Sequence, residues 1–180
     1  PSELQRAGIL GINARNLEYI SEQNERKLYT RVDNKLLTKQ ICEQHGIPVP
    51  QTYAVLRSHG DVHQFPTIVR DQPDFVVKPA SGAAGRGIVV VGGRSGNDYK
   101  TPSGRVSTWS DLRYHLSTVI SGLYSLGGQA DNAIVEQRIV SHHALVRVTV
   151  GGTPDIRVIL YRGVPVMAMV RLPTAESGGR

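Results

Sequence analysis

The chain has 180 residues, 39% hydrophobic and 20% charged, which is the composition of a globular and not a disordered chain and suits one ordinary domain or two small lobes. Its 21 basic and 15 acidic residues give a net charge of +6, a balance that suits a nucleotide, an anionic substrate or nucleic acid as partner. Aromatics at 6%, with no block of five like charges, argue against a stacking platform for single-stranded nucleic acid, and the single cysteine, Cys42, excludes an internal disulfide.

In chain order, residues 1–30 mix a short apolar start with polar residues at helical spacing. "VDNKLLTKQICEQHGIPVP" predicts a helix, with Asp33 as N-cap, His45-Gly46 as its end, and Leu37, Ile41 and Cys42 on one face. Pro48 and Pro50 forbid further helix, and "TYAVL" then runs as a strand. "DFVVKP" and "GIVVVGG" read as two strands separated by a glycine-rich segment, hence an antiparallel hairpin. Residues 92–107 lack apolar periodicity and read as a mobile loop.

Leu112, Leu116, Val119, Ile120, Leu123 and Tyr124 recur at helical spacing, so a long helix is expected, ending at Gly127-Gly128. Four strand-like runs follow, "AIVEQRI", "ALVRVTV", "DIRVILYR" and "VPVMAMVRL", with Gly163 turning between the last two. His142-His143 would then point to opposite faces of a strand rather than to one metal. The sum is α+β, with antiparallel sheets and no βαβ alternation.

The chemistry concentrates in "KPASGAAGRGIVVV", residues 78–91. A P-loop needs its lysine after the glycines and a helix behind it; here Lys78 comes first and a valine strand follows. A dinucleotide loop needs G-x-G-x-x-G opening a helix; here Gly82, Gly85 and Gly87 run into a strand. Two readings stay open on these residues. One is an anion cradle, in which glycines let backbone N–H groups approach phosphate, Ser81 adds a hydroxyl and Lys78 is held at the mouth. The other is a flexible turn beside a surface lysine.

Several segments in order resemble an ATP-grasp enzyme over nearly the whole chain. These are "DNKLLTKQICEQHGIPVP", "FVVKPASGAAGRGIVVV", "AIVEQRI" and "GTPDIRVILYRGVPVMAMVRLPTAESGGR". Within that superfamily the chain is most similar to the α-L-glutamate ligase-like group, related to ribosomal-protein glutamate ligases. The resemblance implies two α+β lobes whose antiparallel sheets grip ATP. Residues 1–50 would carry the first lysine on a helix, 51–132 the small lobe with the glycine lid, and 133–180 the start of the C-terminal lobe.

The resemblance also assigns roles. Lys35 and Lys78 match the two lysines that reach the nucleotide phosphates, and Ser81, Gly82, Gly85 and Gly87 match the lid over them. Glu136 matches the acceptor of the adenine amino group, with backbone groups of Gln137 and Ile139 completing the contact; the alternative is a glutamate paired with Arg138 or Arg147. Asp155 matches a ribose-binding carboxylate, and Arg171 and Arg180 match arginines at the γ-phosphate and the acyl phosphate, where a guanidinium fork binds bidentately. The Mg2+ ligands of the family do not match here and are expected beyond residue 180. On that reading the chain is C-terminally incomplete, and inactive alone.

The activity implied is ATP-dependent joining of a carboxylate to an amine through an acyl phosphate, with glutamate or a similar amino acid as one substrate. No membrane partner is expected, since no apolar run reaches the ~18 residues of a spanning helix. A cytoplasmic location is expected from the single cysteine. The rival readings are a non-catalytic nucleotide-binding regulator and a basic nucleic-acid-binding module.

Overall fold

A computed structural model describes residues 2–150 and 152–174. The fold is α+β, as the sequence predicts. Its centre is a four-stranded antiparallel sheet in the order β1-β7-β2-β3, formed by β1 (Thr52–Leu56), β7 (Ala133–Glu136), β2 (Phe75–Pro79) and β3 (Val89–Val91). The expected hairpin is present, with Phe75 opposite Val91 and Val77 opposite Val89. The expected strand "AIVEQRI" shortens to β7, which lies between β1 and β2 and not beside the later strands.

Strand side chains alternate between faces, and here the two faces have different jobs. Phe75, Val77, Val91, Ala133, Val135 and Leu56 join one buried cluster with Val62, Phe65, Leu112, Leu116 and Val119 from two helices, His59–Ile68 and Trp109–Ile120. Phe65 stacks on Trp109 with ring centroids 5.7 Å apart and meets Phe75 edge-on at 5.6 Å. Lys78 and Glu136 belong to the opposite face. Register places Lys78 opposite Ile134, two residues before Glu136, so the two charged side chains are diagonal neighbours.

Both core helices start at a capping box. Ser58 accepts from the Asp61 N–H while the Asp61 carboxylate accepts from the Ser58 N–H, and Thr108 and Asp111 repeat the arrangement. The second helix ends at Ile120, earlier than the sequence suggests, because Gly122 takes φ +85° beside the Gln129 carbonyl. Leu123 is therefore outside the helix and exposed. The helix Lys35–Gln44 is capped by Asn34 and not by Asp33: the Asn34 side chain accepts from the Leu36 and Leu37 N–H groups. It ends where expected, with Gly46 at φ +68°.

Two further expectations are corrected. Residues 92–107 are not a structureless loop but a small antiparallel sheet of β4 (Gly93–Ser95), β5 (Asp98–Lys100) and β6 (Val106–Ser107). Its anchor is Tyr99, buried between Phe65 and Phe75, with the Arg94 guanidinium 4.4 Å above its ring. "ALVRVTV" is not a strand either: the His142 ring accepts from the Ala144 N–H and starts a short helix, His143–Val146. The last two runs form the hairpin β8 (Asp155–Tyr161) and β9 (Val164–Arg171), turned by Arg162 and Gly163, both at positive φ.

Candidate functional site

The helix Lys35–Gln44 reaches the charged face of the central sheet through two of its lysines. Lys35 and Lys39 lie one helical turn apart, so they share a face of that helix. Lys35 reaches the base of the glycine loop. Its backbone N–H donates to the Ala80 carbonyl at 2.9 Å, and its ammonium donates to the carbonyls of Ala80 and Gly82. Lys39 reaches the other end of the site. Its ammonium donates to Glu136 Oε2 at 2.8 Å and to the Pro50 carbonyl at 2.5 Å. The second oxygen of Glu136, Oε1, pairs with the Lys78 ammonium.

Glu136 is thus a buried carboxylate held by two ammonium groups, one on each oxygen. This is the arrangement that burial demands, since an unpaired carboxylate in such a place is costly. The pairing with Arg138 or Arg147 does not occur for Arg138, which binds Asp74 at 3.1 Å. Burial, and then the neighbouring Lys78 ammonium, hold the Lys35 pKa below the ordinary lysine value; Asp131 and Glu136 pull it the other way. Three lysines and two carboxylates leave this locus with one surplus positive charge, suited to a polyanion.

Asp131 completes the base of the loop. It is buried and accepts from the Ser81 N–H at 2.9 Å and from the Asn132 N–H at 2.8 Å. Sequence reasoning missed both Asp131 and Lys39. The signal for Lys39 was the i, i+4 repeat of lysine in "KLLTK"; Asp131 had none.

The glycine loop follows the site closely and is itself braced. A Cβ on Gly82 would meet Pro79 Cγ at 2.4 Å, and one on Gly87 would meet the Tyr124 ring at 2.7 Å. These two glycines are needed for close packing. The Gly87 carbonyl is also bonded to the His115 ring at 2.9 Å, and Ser81 accepts from the Leu126 N–H at 3.1 Å. Between these braces, Ala84, Gly85 and Arg86 form an exposed crest, with Gly85 at φ +71°.

The structure therefore brings Lys35, Lys78, Ser81, Gly82 and Glu136 together, with Gly85 and Gly87 in the adjoining loop. Gln137 follows directly, but its N–H donates to the Gln51 carbonyl at 2.8 Å, so an adenine contact from its backbone would fall to its carbonyl. Ile139 lies beyond it and is exposed.

Asp155 and Arg171 are brought to each other instead. They sit opposite in the β8–β9 register, and the guanidinium binds the carboxylate through Nε at 2.8 Å and 3.1 Å and again through a terminal nitrogen. That fork lowers the Asp155 pKa and raises that of Arg171. Arg180 lies outside the described residues. Among the described residues no group of three His, Cys, Asp or Glu side chains could hold a metal ion. Nor is any described helix long and apolar enough to cross a membrane.

The model of a family described as sugar-transfer associated ATP-grasp matches residues 14–180. No curated protein and no solved structure matches the chain.

Proposed function

The chain belongs to the sugar-transfer associated ATP-grasp family, and we propose on that footing that it binds ATP between the lysine helix and the glycine loop. The observation that carries this reading is the convergence of Lys35, Lys78 and the loop base Ala80–Gly82 on one face of the sheet, beside a shared buried carboxylate. Lys78 turns from Glu136 to the phosphates as they enter, and Lys35 supports the loop that covers them. Phosphoryl transfer asks a protein for position and charge more than for a nucleophile, and this locus supplies both.

The reaction we assign is an ATP-dependent ligation of a carboxylate to an amine. A substrate carboxylate oxygen attacks the γ-phosphorus, the bond to the β-phosphate oxygen breaks, and ADP leaves. The amine then attacks the acyl carbon and loses a proton, the C–O bond to phosphate breaks, and an amide and inorganic phosphate result. In this reading Arg171 exchanges Asp155 for phosphate oxygens, and Asp155 is freed for the ribose hydroxyls. The matched family is described by its association with sugar transfer; in our reading the substrates are a carboxylate and an amine, and glutamate is one amino acid to test.

ADP release against a panel of carboxylate–amine pairs tests this reading. Turnover that depends on both substrates and is lost in Lys78→Ala is the expected result. ATP hydrolysis indifferent to every amine, or equal in Lys78→Ala, would contradict it.

A further inference from the structure

Lys39 has no role in the reading above, yet it is one of three buried polar or charged side chains among the described residues. Its side chain is 9% exposed and doubly fixed, to Glu136 and to the Pro50 carbonyl, whereas that of Lys78 is 19% exposed at the open side of the same carboxylate. We propose that Lys39 is a positioning residue, the permanent counter-ion of Glu136 that lets Lys78 leave this carboxylate for a nucleotide phosphate.

Charge must stay balanced around Glu136 whichever way Lys78 turns. Glu136 is 5% exposed as a side chain, and a carboxylate buried to that degree is costly unless an ammonium faces it. If Lys78 were its one partner, moving Lys78 to a phosphate would strand a buried carboxylate, and the gain at the phosphate would be offset. With Lys39 bound to the other oxygen, Glu136 stays neutralised throughout. Lys39 is not free for the same journey, because its ammonium is also held by the Pro50 carbonyl and its side chain is only 9% exposed. A purely structural staple here would be served as well by apolar side chains, since buried ion pairs seldom out-compete them. Two lysines on one carboxylate make sense where one of them must be released.

The inference rests on the nucleotide reading of the site, but half of its test does not. Acylation of Lys78 by an amine reagent, followed by mass spectrometry on the protein without nucleotide, reports how firmly Glu136 holds it. In Lys39→Met, Glu136 has Lys78 alone, and labelling of Lys78 should slow about tenfold. In Glu136→Gln and in Lys39→Met/Glu136→Gln it should quicken to one common rate. Titration with ATP and with adenosine gives the second readout. Lys39→Met should weaken ATP about tenfold and leave adenosine within about twofold, and the double variant should match Glu136→Gln for ATP.

Unchanged Lys78 labelling in Lys39→Met overturns the inference whether or not ATP binds. So does an equal loss of ATP and adenosine, which marks a structural role. Failure of the unaltered protein to bind ATP removes the nucleotide reading, and labelling then decides Lys39 by itself. If Lys39→Met does not fold, the double variant is compared with Glu136→Gln, and a different Lys78 rate overturns the proposal.

Discussion

Glu136 and its two lysines set the terms at the residue scale. Glu136→Gln leaves Lys39 with a neutral partner in a buried place, and loss of one member of a buried pair commonly costs about 3–5 kcal/mol. Urea denaturation should show a loss of this order, and a change under about 0.5 kcal/mol would mean that water reaches the site freely. This residue-level arrangement was only partly legible. Lys78 stood out at the end of an apolar strand just before the glycine loop, and Glu136 as a charge within an apolar strand. Lys39 was missed, since the carboxylate that buries it is 97 residues away. Glu136 was expected to face adenine, and no spacing rule could show that both of its oxygens are already engaged.

At the scale of elements, the lid is a braced loop with a short open crest. Gly87→Ala would push a methyl into the Tyr124 ring, and overpacking of this kind costs roughly 1–3 kcal/mol. The melting temperature should fall accordingly; an unchanged value would show that the loop base is slack. Hydrogen exchange should find Tyr99 protected and residues 84–86 fast, since Tyr99 is buried and the crest is exposed. The two capping boxes make a separate prediction. Backbone N–H bonds, from Thr108 foremost, hold the Asp111 carboxyl below the usual range, and those from Arg57 and Ser58 do the same for Asp61. A depressed folded value adds stability above the unfolded pKa, and that stability is lost as pH falls through the folded one. Asp111→Asn should therefore melt lower than the unaltered chain at pH 7, with the gap closing below about pH 4; a gap constant in pH would contradict the cap.

Elements with strong periodicity were legible: the lysine helix, the valine hairpin, the helix after Thr108 and the final hairpin all lie close to where their patterns put them. The helix His59–Ile68 was not noticed. Its capping box and the pair Val62, Phe65 were available as signals, but Pro66 inside it argues locally against a helix. Residues 92–107 were misread because three short strands between glycines show no alternation, and only Tyr99 betrays their buried side.

Over the whole molecule, one sheet separates two environments. Its apolar face is sealed by two helices around Phe65, and its other face keeps the charges. Phe65→Ala should cost about 3–5 kcal/mol and broaden or abolish cooperative melting, because the ring is fully buried among Phe75, Tyr99 and Trp109. The rigid apolar side gives the charged side a fixed platform, and Lys78 and Glu136 are aligned by strand register before any ligand arrives. We propose that this platform binds ATP through Lys78. A calorimetric titration of ATP into the unaltered protein and into Lys78→Ala tests it most directly. Saturable binding that weakens about tenfold or more in Lys78→Ala is the predicted result. No saturable binding to the unaltered protein, or equal affinity in the two, would contradict it.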